Sequence, residues 1–174
     1  IMGELSVLTG EPVAGTYRAS SYIQTLKIPA DLYLEFIRRN GLYNNIKRTH
    51  NNRLFLRSTW LFGEMTSYPT QNQIAQQMNG SVYAQGQTLP FNGMPDLFLL
   101  ESGGLELYSD GKTIETLSNG GFCGEESVLY GKSALFKARF TKESKGYHIP
   151  GDLLEDIPIV QWKLLETYER RLRN

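Results

Sequence analysis

Gly124-Glu125-Glu126-Ser127-Val128-Leu129-Tyr130-Gly131 and Gly3-Glu4-Leu5-Ser6-Val7-Leu8-Thr9-Gly10 share one eight-residue pattern at an offset of 121 residues. Continued without a gap, the register sets Arg18 on Arg139 and Ile28-Pro29-Ala30-Asp31-Leu32 on Ile149-Pro150-Gly151-Asp152-Leu153, so that 11 of the 30 positions from 3 to 32 are identical. Two clusters of identity in one register point to a duplicated unit. Each copy reads as a short helix opened by Gly-Glu, two strands, and a helix begun by Ile-Pro-x-Asp-Leu, in which Asp31 or Asp152 is placed to cap orphan backbone N–H groups. Glu155, three residues past Asp152, completes a capping-box pattern.

The second copy carries a long upstream region. Residues 81–123 are punctuated by Gly86, Gly93, Gly103, Gly104, Gly111, Gly120 and Gly121, with short β-rich runs such as Leu97 to Leu100 and Leu105 to Tyr108 between them. Asp110-Gly111 is a hairpin signal, because glycine accepts positive φ. Strands spaced this closely read as a sandwich or barrel. Residues 31–62 carry helical periodicity instead, interrupted by Gly41. Thr70 with Gln73, followed by Ile74, Ala75 and Met78, predicts a short amphipathic helix with its own cap. Trp162, Leu165, Tyr168 and Leu172 fall on one face of a last helix, whose Arg170, Arg171 and Arg173 suit the negative end of the dipole.

Composition removes several function classes. The 174 residues hold 18 basic and 18 acidic side chains, which argues against a dedicated nucleic-acid binder. The longest apolar runs are far too short to span a bilayer, so no membrane partner is expected. No signal peptide is visible at Ile1-Met2-Gly3-Glu4, and a reducing, cytoplasmic location is the default for a chain with one cysteine. His50 and His148 are too few and too far apart for a histidine metal site or a Ser-His-Asp set, so neither a metal nor catalysis is expected. Cys123 reads as a small buried hydrophobe. Charge is unevenly placed: six basic residues and no acid lie between Phe36 and Gly63, and seven acids against Lys112 alone between Pro95 and Glu126. These read as two solvated surfaces, with docking of one onto the other as the sharper alternative.

The run Phe98-Leu99-Leu100-Glu101-Ser102-Gly103-Gly104-Leu105-Glu106-Leu107-Tyr108, then Leu117 to Gly120, then Phe122-Cys123-Gly124-Glu125 resembles the cyclic nucleotide-binding domain of catabolite activators, kinase regulatory subunits and gated channels. The resemblance implies a mainly β fold with flanking α-helices, a cyclic-nucleotide-binding-like β-roll of the double-stranded β-helix or jelly-roll type. Residues 1–40 resemble the C-terminal part of a first such domain, 41–62 a helical connector, and 63–174 a complete second domain with its C-terminal helix.

The family's phosphate cassette uses a Gly-Glu helix, whose Glu accepts from the ribose, and an Arg that pairs with the cyclic phosphate. Carried over, these positions are Gly124 and Glu125, and in the first copy Gly3 and Glu4, with Thr16 further along that cassette. The family's Arg falls on Ala134, beside Ser133, and on Val13 in the first copy. Both are apolar, so the resemblance implies a degenerate cassette with weakened or lost cAMP and cGMP binding unless Lys137 or Arg139 substitutes for the Arg. The expected role is a non-enzymatic regulatory module that signals through its flanking helices to an output domain. A structural, self-associating module whose pocket is filled by Leu135 and Phe136 is the alternative, since an incomplete first unit leaves strand edges unpaired.

Overall fold

The computed structural model describes residues 2–13, 16–64, 67–90, 95–132 and 135–173. They fall into two compact units, Ile1–Asn51 and Asn52–Asn174.

In the first unit, α1 (Glu4–Thr9) is held between two left-handed glycines, Gly3 at φ 80° and Gly10 at φ 75°. The N–H of Gly10 donates to the Ser6 carbonyl and closes the helix. α2 (Ala30–Arg39) ends at Asn40, and α3 (Tyr43–Ser58) follows across the boundary of the units. Between α1 and α2, residues 16–29 form neither helix nor strand, contrary to the two strands expected there. A strand exists only as part of a ladder, and residues 16–29 have no ladder partner among the described residues.

Among the described residues the second unit contains seven strands: β1 (Asn79–Tyr83), β2 (Asp96–Ser102), β3 (Leu105–Ser109), β4 (Lys112–Leu117), β5 (Phe122–Cys123), β6 (Lys137–Phe140) and β7 (Ser144–Pro150). All pair antiparallel, in one sheet of order β1-β7-β2-β5 and another of order β4-β3-β6. The Asp110-Gly111 turn, both residues at positive φ, joins β3 to β4.

Burial of β2 on both faces explains its continuous apolar run. Leu97 and Leu99 join Tyr147 and Ile149 of β7 against a helical layer of Leu56, Ile74 and Leu164, with Phe62 from the turn after α3. Phe98 and Leu100 face inward, where they pack with Leu105, Leu107, Cys123 and Phe140 between the two sheets. Two glycines permit this closeness. A Cβ on Gly146 would stand 2.3 Å from the Phe98 ring, and one on Gly103, at φ +103°, would meet Ser144 Oγ at 2.1 Å. Near the interior, His148 holds Asp96 through Nδ1 at 2.5 Å and Tyr83 through Nε2 at 2.7 Å, which ties β1, β7 and β2 together.

Three local expectations are corrected. The cap of α4 (Tyr68–Gln77) is Ser67, whose Oγ accepts from the Thr70 N–H; Thr70 lies inside the helix. The second Ile-Pro-x-Asp-Leu opens only a 3-10 turn, Gly151–Leu154, where Asp152 accepts from the Leu153 N–H. Pro158 forces Ile157 out of the helical region, so α6 (Pro158–Leu172) restarts after it. Finally, the buried stripe of α6 is Val160, Lys163, Leu164, Thr167 and Arg171, while Trp162, Leu165 and Leu172 are exposed. The apolar periodicity named the wrong face because two cations sit on the right one.

Candidate functional site

The carried-over Gly-Glu opens α5 (Glu125–Tyr130), a copy of α1 in backbone detail: Gly124 at φ 94° leads it and Gly131 at φ 61° ends it. Glu125 is 0% exposed. Its two oxygens accept from Arg171 Nη1, each at 2.7 Å. Arg171, itself 2% exposed, spends its other donors nearby: Nε on Glu115 of β4 at 2.7 Å and Nη2 on the Phe122 carbonyl of β5 at 2.8 Å. Arg170 adds a second contact to Glu115 at 2.9 Å. One guanidinium therefore joins α6 to α5, β4 and β5.

The charges respond to this crowding. Burial raises the Glu125 pKa, with Arg171 opposing. Burial alone would raise Glu115 as well, but its contacts with Arg171 and Arg170 prevail and hold it below its ordinary 4.5. Arg171 is pulled down by burial and held up more strongly by Glu125 and Glu115. Two turns before Arg171 on α6, Lys163 Nζ donates to the Trp60 carbonyl at 2.6 Å and lies over the Trp60 ring. A cleft of about 270 Å³ runs beside this latch, lined in part by Thr59, Trp60, Asn119 and Thr167.

In the first unit Glu4 also accepts a hydrogen bond from a later helix, here from the Tyr33 hydroxyl of α2. Burial and then Glu4 push the Tyr33 pKa up to about 12. Thr16 is exposed, as is Val13, the position of the family's Arg.

Lys137 and Arg139 alternate along β6 with buried Ala138 and Phe140, which places them on the outer face of the roll. There Arg139 pairs with Glu106 at 2.8 Å and covers the Tyr108 ring. Ser133 and Ala134 lie outside the described residues. Leu135 is half exposed and does not fill the interior; Phe136 packs against the inner core. Cys123 is buried, and burial drives its thiol pKa upward against Arg171, which makes it unreactive. Among the described residues no group of His, Cys, Asp or Glu could hold a metal ion, and no helix is long and apolar enough to cross a membrane.

The sequence placed Arg171 only against the helix dipole and Glu115 only among the acids of a charged stretch, and it gave no role to Lys163 or Tyr33. A signal was present: the basic stripe of α6 and the acid-rich stretch before Glu126 are complementary, and two of those acids meet α6 instead of forming a merely solvated surface.

Residues 81–158 match the family model described as the cyclic nucleotide-binding domain. No curated protein matches the chain. Among solved structures, PKAR CBD2 bound to Sp-2Cl-cAMPS is 18% identical with a TM-score of 0.63, covering 74% of this chain and 92% of that one. The regulatory domain of Toxoplasma gondii PKA with cAMP is 15% identical with a TM-score of 0.63, covering 97% of this chain and 66% of that one. The regulatory subunit of a cAMP-independent protein kinase A from Trypanosoma cruzi, bound to guanosine, is 19% identical with a TM-score of 0.61, covering 98% and 64%. At these identities the likeness is one of fold.

Replacing Arg171 with Ala leaves the buried Glu125 without its cation and Glu115 with Arg170 alone, and is expected to cost about 3–5 kcal/mol in denaturant unfolding. Because the Glu115 pKa is lowered in the folded state, its contribution is complete above about 4.5 and is lost as the pH falls through and below that value. Glu125, shifted upward, works in the opposite sense. Glu115→Gln should therefore flatten the acid limb of the stability profile, and an unchanged limb would contradict the assignment.

Proposed function

From a β-roll of the cyclic nucleotide-binding type over residues 81–158, we propose that this chain is a regulatory module that has lost high-affinity cAMP and cGMP binding and works through α6. The observation that carries the reading is the Arg171–Glu125 pair. The family's ribose-binding position is, in this chain, the buried anchor of the last helix. A ligand hydroxyl on Glu125 competes with Arg171 for the same carboxylate, so ligand occupancy shifts the balance between docked and released α6. The output domain acted upon lies outside residues 1–174.

Loss of binding follows from chemistry at the other end of the cassette. Truncating one partner of a buried charged pair costs about 2–5 kcal/mol, roughly a 30- to 5,000-fold loss of affinity. Ala134 and Val13 supply no cation, and Lys137 and Arg139 stand on the outer face. The guanosine held by the Trypanosoma cruzi neighbour makes a nucleoside the small-ligand class we assign to this frame. We assign the module a non-enzymatic role in the reducing cytosol, where an unpaired buried cysteine is stable. Calorimetry with cAMP and cGMP should show no binding tighter than millimolar; a micromolar dissociation constant would overturn the degenerate cassette.

A second reading, self-association through the first unit, is supported by residues 16–29. Tyr22 is 89% and Leu26 87% exposed, and Tyr17, Ile23 and Ile28 are exposed beside them. The repeat register sets this stretch on β6 and β7, so we read residues 1–40 as the end of a similar domain whose strands pair with another chain. Light scattering should then report more than a monomer, and a strictly monomeric mass at high concentration would contradict it.

A further inference from the structure

Glu126 is a second buried carboxylate of the cassette helix, and the latch does not use it. It is 2% exposed, next to Glu125 in the first turn of α5. Its Oε1 accepts from the Leu135 N–H at 2.6 Å. Its Oε2 is equally buried and has no hydrogen-bond partner among the described residues. A buried acceptor left unsatisfied is costly, so such an atom marks a place where a donor is missing.

The position of that atom gives it meaning. Leu135 directly follows Ala134, where the family's phosphate-pairing Arg would stand, and the amide beside that position is taken by the chain's own carboxylate. A phosphate brought to the same amide would displace Glu126 and face its negative charge at close range, with no Arg to offset it. An O–H or N–H group of an uncharged ligand meets the opposite situation, since it donates to an oxygen that lacks a donor and brings no charge.

We propose that Glu126 sets the ligand class of this cassette, accepting a hydroxyl or amino donor from an uncharged nucleoside and rejecting the cyclic phosphate. The proposal rests on the cassette reading above and assigns to a single side chain the selectivity of the site. Glu125 anchors α6 and Glu126 selects the ligand.

The test is calorimetric titration of the full chain with adenosine, guanosine, cAMP and cGMP, for the wild type and for Glu126→Gln. Gln keeps the acceptor for the Leu135 N–H, so the fold is retained while the charge is removed; unfolding midpoints confirm this for the variant. In the wild type at least one nucleoside should bind about tenfold or more tighter than its own cyclic phosphate, the order expected for a charge-assisted hydrogen bond. In the variant this ratio should shrink to within about threefold, because the Gln carbonyl serves the Leu135 N–H, its NH2 cannot accept the ligand's donor, and the charge that repels a phosphate is gone. Equal binding of nucleoside and cyclic phosphate by the wild type, an unchanged ratio in the variant, or no nucleoside binding at all would each overturn the proposal. Failure of the broader reading looks different: micromolar cAMP or cGMP sinks the degenerate cassette, whereas weak cyclic nucleotide with equally weak nucleoside removes only the role of Glu126.

Discussion

A guanidinium buried between two carboxylates is the constraint on which the second unit turns. Arg171 cannot be desolvated unless β4 brings Glu115, β5 brings the Phe122 carbonyl and α5 brings Glu125 to the same point. Each of these depends on something further back. β4 is placed by its ladder to β3, β5 by its short pairing with β2, and α5 by the left-handed glycine that turns the chain out of β5. The ionic site thus reports on the assembly of both sheets and of the cassette at once. Such pairs specify an arrangement more than they stabilise it, because the desolvation cost offsets most of the Coulomb gain. Specifying where α6 docks is what the proposed signalling through this helix requires.

The two units solve one problem with different chemistry. In both, the Gly-Glu helix lies between left-handed glycines, and in both the glutamate takes a donor from a later helix: a guanidinium on Glu125, a phenol on Glu4. The bond to Glu125 is ionic and buried, and that to Glu4 is neutral on the donor side. The likeness between the two stretches is confined to this helix and its glutamate, since residues 16–29 form no counterpart of β6 and β7.

Much of the roll was legible because its signals are local. The glycines of α5, the Asp110-Gly111 turn and the apolar run of β2 act within a few residues of themselves. What failed depended on distant partners. Residues 16–29 have the pattern of β6 and β7 but not their neighbours. The Asp152 motif is overruled by Pro158, which stops the helix that Asp152 would otherwise begin. On α6, apolar periodicity selected Trp162 and Leu172, whereas the buried face carries Lys163 and Arg171; only knowledge of the facing carboxylates and of the Trp60 carbonyl makes that face recognisable. Gly124 and Glu125 marked the start of α5 in the sequence, but the partner of Glu125 lies 46 residues away and could not be read from spacing.

The central claim is that Glu125 and Arg171 are energetically coupled across α5 and α6, and a double-mutant cycle measures that coupling directly. Unfolding free energies of Glu125→Gln, Arg171→Ala and the double variant should show an interaction of about 1–3 kcal/mol, as expected for residues in one buried network. Additivity within about 0.5 kcal/mol would mean that the two helices are joined by packing alone, and the regulatory role assigned to the pair would fall.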